Sequence, residues 1–331
     1  MEEIDGRQKM NYRKLGRTGL EVSEIGFGAW GIGGELWQGS NDDQSLIALR
    51  KAADLGLNFV DTAQAYGNGH SEKLVAKLLK ERKHGIYVAT KIPPRNREWP
   101  ARQNTKLRDV FPSKYVVEST EKSLKNLSVD RLDVQQFHVW NDEWTNDNEW
   151  KDTIDKLKEQ QKIRFFGISI NDHQPENALK VAETGRIDTL QVIYNIFDQS
   201  PEEKLFPLCM KLNIGIIVRV PFDEGSLTGS VTLSSEFDRG DFRRDYFRGD
   251  RRAQVVERIE KLKPLLGSET KTLPELALRL CLHADAVSTV IPGMRKTNNV
   301  ESNCAVSDGR KLSTSMVNEL RKHKWQRNFY D

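Results

Sequence analysis

One recurrence constrains this chain more than any other feature. Short runs rich in β-branched and aromatic residues return eight times, with helical patterns standing between them. The runs fall at residues 22–28, 58–61, 86–91, 131–138, 164–169, 190–194, 214–220 and 286–291, and helical periodicity is clear at 45–56, 71–81 and 116–127. Gly56 stands where a left-handed stop ends the first helix, and Ser113 is placed to cap the third. The runs are nearly continuous in apolar residues instead of alternating, which is the pattern of parallel strands buried on both faces. Right-handed crossovers that close eight such units give a TIM-type (β/α)8 barrel. The expected fold is therefore α/β, a single domain over residues 1–331 with its core at about 15–305. An N-terminal hairpin and a long loop after strand seven, residues 221–252, complete it. An open doubly wound sheet competes, but its glycine-rich first turn runs directly into a helix. Here Gly26, Gly28, Gly31, Gly33 and Gly34 crowd the end of the first strand, and the helical pattern starts only about ten residues later.

Composition narrows the function. With 37% hydrophobic and 30% charged residues the chain can bury a sizeable core in water. The 51 basic and 48 acidic residues leave a net charge of +3, too little to recruit nucleic acid or an anionic membrane. Cys209, Cys281 and Cys304 form neither a metal-ligand spacing nor a disulfide framework, no metal is expected, and a reducing compartment, the cytoplasm, is implied. No stretch approaches the roughly 20 apolar residues that span a bilayer. The protein is expected to act as a monomer or a homo-oligomer. The mixed-charge loop after strand seven reads either as a solvated segment or as a lid over an anionic ligand.

In a barrel of this kind, side chains at the C-terminal ends of the strands converge on one mouth. That rule selects Asp61 at the end of strand two, Lys91 at the end of strand three and His138 at the end of strand four, with Tyr66 five residues beyond Asp61. A lysine buried beside an aspartate is costly unless a task requires it. The task that fits is hydride reduction of a carbonyl, with Tyr66 as proton donor. Lys91 would lower the phenol's pKa, Asp61 would hold Lys91 charged, and His138 would orient the substrate oxygen. Trp30, Trp140 and Trp144 lie in loops on the same face, where they either wall the substrate pocket or pack the loops. Lys91 as a Schiff-base nucleophile is the competing chemistry.

The stretch DTAQAYGNGHSE at 61–72, Lys91 after VAT, His138 in QFHVW and the segment IPGMRKTNNVESN from Ile291 resemble the aldo-keto reductase family. The resemblance runs in order from about Leu15 to about Asn303. It implies a (β/α)8 barrel, NADPH as cofactor, a small-molecule carbonyl substrate, and a catalytic set of Asp61, Tyr66, Lys91 and His138. It further implies cofactor contacts from Gly28, Ala29, Trp30 and Asp61 at the early strands. Ser169, Gln191 and Arg219 would meet the nicotinamide, and the turn of Phe222, Glu224, Gly225, Ser226 and Leu227 the pyrophosphate. Gly293, Met294, Arg295, Asn299 and Asn303 would surround the adenosine 2′-phosphate and the adenine. The substrate pocket would draw on Trp30, Tyr66, His138 and Trp140. The chain departs from the family in reading Ser169, Ile170, Asn171 where Ser-Asn is common, Arg219 where a stacking Tyr is common, and Ser302 where an acid is common. Potassium-channel β subunits also resemble this family, so an NADPH-binding regulatory subunit is an alternative function, as is a non-redox isomerase or dehydratase on the same scaffold.

Overall fold

The computed structural model describes residues 10–34, 36, 37 and 39–325. A hairpin of β1 (Tyr12–Lys14) and β2 (Glu21–Ser23) opens the described chain, paired antiparallel. Eight parallel strands follow: β3 (Phe27–Gly28), β4 (Phe59–Asp61), β5 (Tyr87–Ile92), β6 (Leu132–Phe137), β7 (Ile163–Ser169), β8 (Thr189–Ile193), β9 (Gly215–Arg219) and β10 (Val287–Val290). Each pairs with its sequence neighbour, and parallel bridges Ile25–Val290 and Gly28–Gly293 join the first strand to the eighth. Backbone bonds from Gly26 N to Val290 O, 2.8 Å, and from Gly28 N to Pro292 O, 3.0 Å, close the seam. The barrel expected from the recurrence is the one observed.

Helices pack around it, and their limits follow local chemistry. The first, Asp42–Asp54, is capped by the Asn41 side chain and ends just before Gly56, whose φ of 90° is the left-handed stop. The third helical pattern becomes Ser113–Leu127, with Pro112 and not Ser113 at the cap position. Ser113 is the first helical residue, and both its N and its hydroxyl donate to Glu149 Oε1, at 2.9 and 3.0 Å. The run 22–28 is likewise two strands, not one. Between them the buried Glu24 accepts from Arg13 at 2.9 Å and from Ser307 at 2.8 Å, which turns the chain from hairpin to barrel. Leu15, Leu20 and Val22 of the hairpin region pack on Phe59, Ala89, Val134 and Ile217, so apolar side chains plug the end of the barrel that holds the strand starts. The other end is left for polar groups. Cys209, Cys281 and Cys304 are buried thiols with no disulfide. Among the described residues no helix is long and apolar enough to cross a membrane.

The long loop after β9 ends at Asp250, since Arg251 already begins the helix Arg251–Leu262. It contains the turn Asp223–Thr228 and a short helix, Phe242–Tyr246, and it reaches across the barrel mouth. There Phe242 N donates to Leu36 O at 2.8 Å, and the rings of Trp37 and Phe242 both lie against Trp30, at 5.3 and 5.2 Å. The Arg243 guanidinium sits over Trp37 and Phe237 at 4.7 and 4.9 Å.

The seam depends on a missing side chain. A Cβ at Gly28 would lie 2.5 Å from Ile291 O and 3.0 Å from Pro292 O, both backbone atoms that cannot move without parting the strands. Gly28→Ala is expected to destabilise the fold by about 1–3 kcal/mol, the usual cost of overpacking. A thermal melt indistinguishable from the parent would contradict this account of the closure.

Candidate active site

Five strand ends bring the site together. Asp61 closes β4 and Lys91 lies one residue from the end of β5; both are almost wholly buried. Lys91 Nζ donates to Asp61 Oδ1 at 2.5 Å, to Thr62 O at 2.9 Å and to Tyr66 Oη at 3.2 Å. An ammonium has three donors, and all three are used. The other oxygen of Asp61 accepts from Gln191 Nε2 at 2.7 Å and from Gln136 Nε2 at 3.4 Å. Gln191 Oε1 in turn accepts from Ser169 Oγ at 3.5 Å. Thus the residues picked from strands two and three meet as a network that β6, β7 and β8 complete. Gln136 and Thr62 are members that sequence reasoning missed; Gln136 lies near the end of β6, only two residues before His138.

His138 follows β6, its ring 5.7 Å from that of Tyr66 at 73°. Burial, with the cations Lys91 and Arg219 nearby, holds its pKa well below the usual imidazole value. The ring is therefore neutral at neutral pH, and its buried Nδ1 has no hydrogen-bond partner among the described residues. Lys91 is held above its ordinary pKa: burial opposes its charge, but Asp61 and Tyr66 outweigh it. For Tyr66 the structure corrects the sequence expectation. Lys91 and Arg219 do pull the phenol down, but burial, reinforced by the Asp61 carboxylate, pushes it above its ordinary value. Tyr66 keeps its proton.

The aromatic residues divide. Trp30 stands half-buried at the mouth with its ring 6.3 Å from that of Tyr66. Trp140, expected in the pocket wall, is 0% exposed and packs on Phe137 and Trp150 in the core. Trp144 is also core, its Nε1 donating to Thr105 O at 2.7 Å. Their place at the mouth is taken by Trp99, which sequence reasoning passed over. It is 38% exposed and its ring meets that of His138 at 5.8 Å. Its signal was a tryptophan in the loop after the Lys91 strand.

The remaining residues line the rim. Arg219, at the end of β9, donates to Asp172 Oδ1 at 2.5 Å and to Ile170 O at 2.9 Å. Beyond it the backbone is unusual: Val220, Asp223 and Glu224 have φ of 55°, 47° and 54°, and Gly225 has 101°. Positive φ is rare for any residue but glycine, and for a β-branched one it is an outlier typical of functional turns. Asp223 is held from inside by Tyr246 Oη at 2.7 Å and Arg251 Nη2 at 3.2 Å. Ser226 Oγ in this turn and Asn303 Nδ2 in the helix Thr297–Cys304 are buried without partners among the described residues, and a Cβ on Gly225 or Gly293 would meet open space. Leu227 is buried in the core beneath the turn, while Phe222 is half-buried against it. Arg295 is half-buried, its stem 3.0 Å from where a Gly31 Cβ would stand, and Arg243 lies close enough to lower its pKa after burial has done so. Asn299 is exposed on the same helix. Met294 was expected at the cofactor, but its side chain is 0% exposed and faces the core. Ala29 is buried, its N donating to Asp61 O at 2.9 Å.

Glu224 generates a test. Burial, with Asp172 and Asp223 beside it, pushes its carboxyl from 4.5 up to about 8 against the pull of Arg219 and Arg251. A group protonated more tightly in the fold than in the unfolded chain stabilises fully below the lower value and ceases to do so as pH rises through the upper one. Glu224→Gln cannot ionise. Its melting temperature relative to the parent is therefore expected to rise from pH 5 to pH 9, and a constant difference over that range would show that Glu224 ionises normally.

Comparison with known proteins agrees with this geometry. Residues 24–324 match the profile of the aldo/keto reductase family. The chain is 31% identical over 299 residues to the aldo-keto reductase YhdN of Bacillus subtilis, covering 88% of this chain and 87% of that protein. It is 28% identical over 304 residues to an NADH-specific methylglyoxal reductase of Escherichia coli, covering 88% and 91%. The solved structure of a glycerol dehydrogenase from Gluconobacter oxydans superposes with a TM-score of 0.76 at 26% identity, over 96% of this chain and 95% of that one. A barrel whose strand ends gather Asp61, Tyr66, Lys91 and His138, matched along most of its length, belongs to the aldo-keto reductase family of oxidoreductases.

Proposed function

We propose that this chain reduces an aldehyde or ketone to an alcohol with NADPH, and that Tyr66 is the proton donor. The observation that carries the reading is the row Asp61, Lys91, Tyr66, with Lys91 Nζ 2.5 Å from Asp61 Oδ1 and 3.2 Å from Tyr66 Oη. NADPH, when bound, supplies the hydride. Tyr66, protonated at neutral pH, gives its proton to the oxygen on which negative charge grows, and the phenolate left behind faces the buried ammonium of Lys91. His138, neutral, has one N–H to donate to the same oxygen and so sets its position. A Schiff-base role for Lys91 is disfavoured, since that chemistry needs a neutral amine and Lys91 is held charged with its donors occupied.

The residues present fit a dinucleotide. Ser169 and Gln191 are assigned to the carboxamide, with Arg219 at the ring. The backbone of Phe222, Glu224, Ser226 and Leu227 takes the pyrophosphate, where the positive-φ turn and the open space at Gly225 allow close approach. Gly28, Ala29, Trp30 and Asp61 border the reacting end. Gly293 is assigned to the far end through its backbone, and Asn303, whose Nδ2 has no partner among the described residues, is assigned with Asn299 to the adenine. Preference for NADPH rests on Arg295, a half-buried guanidinium whose planar fork suits a phosphate, with Arg243, itself paired to Asp241, nearby. The Escherichia coli relative is named for NADH, so family membership alone does not fix the cofactor.

Tyr66→Phe is expected to abolish carbonyl reduction while NADPH still binds with nearly parental affinity; normal turnover would remove Tyr66 from the donor role. Arg295→Ala is expected to weaken NADPH roughly tenfold or more, as loss of a charge-assisted contact does, with a smaller effect on NADH. Equal losses measured by titration of both nucleotides would overturn the 2′-phosphate assignment.

A further inference from the structure

We propose that Trp99, clamped in place by Asn171, selects carbonyl compounds that carry a planar aryl group; the inference rests on the carbonyl reduction proposed above. The rings form an ordered row across the mouth. Trp30 lies 6.3 Å from Tyr66, Tyr66 lies 5.7 Å from His138, and His138 lies 5.8 Å from Trp99. The two residues assigned to the reacting oxygen are thus flanked by an indole on each side. Trp30 is supported from behind by Trp37 and Phe242. Trp99 has 38% of its surface exposed, and an indole standing open beside a polar site gains most by being covered with another flat apolar surface.

The loop that carries Trp99 has little regular structure of its own, so its position must be imposed. Three side chains from neighbouring loops impose it. Asn171, only 4% exposed, accepts from Ala101 N and donates to Ala101 O, both at 3.2 Å. Asn141 donates to Arg102 O at 3.0 Å, and Trp144 to Thr105 O at 2.7 Å. Asn171 is further tied to Trp140 N at 3.4 Å and Gln174 Oε1 at 3.0 Å, which commits both ends of its amide. An asparagine directly after Ser169 would be available to the cofactor's amide. With Ile170 between them, the amide instead grips the backbone two residues beyond Trp99. Asn171 is accordingly a positioning residue for the substrate wall.

Trp99→Ala, Trp99→Phe and Asn171→Ala test this, with 4-nitrobenzaldehyde and methylglyoxal as probes of turnover. Calorimetric binding of benzamide, a flat aryl amide that is not reduced, and of NADPH serves as a second readout. Loss of one aromatic wall is expected to lower the ratio of kcat/KM for 4-nitrobenzaldehyde over methylglyoxal about tenfold in Trp99→Ala, through KM more than kcat. Trp99→Phe is expected to restore most of that ratio and of benzamide affinity. Asn171→Ala is expected to shift the ratio in the same direction with NADPH affinity unchanged. An unchanged ratio in Trp99→Ala, or a loss of NADPH affinity in Asn171→Ala, overturns the proposal. If the parent reduces neither probe yet binds benzamide through Trp99, the slot stands and the reductase reading falls; if it binds no benzamide and shows no discrimination, the slot falls.

Discussion

The structure depends on one buried ion pair. Moving Lys91 and Asp61 out of water costs several kcal/mol for each ion, and a well-packed apolar pair would hold the barrel equally well. What makes the pair tolerable is that nothing in it is left unsatisfied. The ammonium spends its three hydrogens on Asp61, Thr62 and Tyr66, and the second carboxylate oxygen receives Gln191 and Gln136. These partners come from β4, β5, β6 and β8 and from the loop after β4. The pair therefore exists only if those strands end at the same level, and closure at the Gly28 seam is what sets that level.

Much of this was legible in the sequence because it follows from position along a strand. A polar residue at the C-terminal end of a buried parallel strand has only the mouth to point into, and Asp61, Lys91 and His138 were found on that ground alone. Residues in loops obey no such rule. Trp140, two residues after His138, turns under the loop, where Phe137 and Trp150 cover it, whereas Trp99 is set at the mouth by an amide 70 positions away from Ala101. No local pattern distinguishes the two. The phenol of Tyr66 was misjudged for a similar reason: its charged neighbours can be read from spacing, but the burial that outweighs them is a property of the assembled barrel. The cap at Pro112 and the break at Glu24 involve Glu149 and Ser307, both distant in sequence, together with Arg13 across the hairpin.

Past Arg219 the chain spends conformational energy. Three residues other than glycine hold positive φ within five positions, each costing on the order of 1–3 kcal/mol. The turn persists because Asp223 is bound from within by Tyr246 and Arg251, which lie at the far end of the long loop. The length of that segment is thus explained: it must leave the turn, cross the mouth and return to anchor its own beginning.

Among the described residues, a backbone hydrogen bond from Phe242 to Leu36, ring contacts around Trp30 and the Arg243 guanidinium over Trp37 tie the crossing to the loop after β3. A hydrogen bond contributes about 0.5–1.5 kcal/mol net, and an aromatic pair a similar amount. The segment that crosses the strand ends therefore meets the opposite loop mainly through flat rings, so that side-chain shape more than backbone pairing decides how it fits over the mouth.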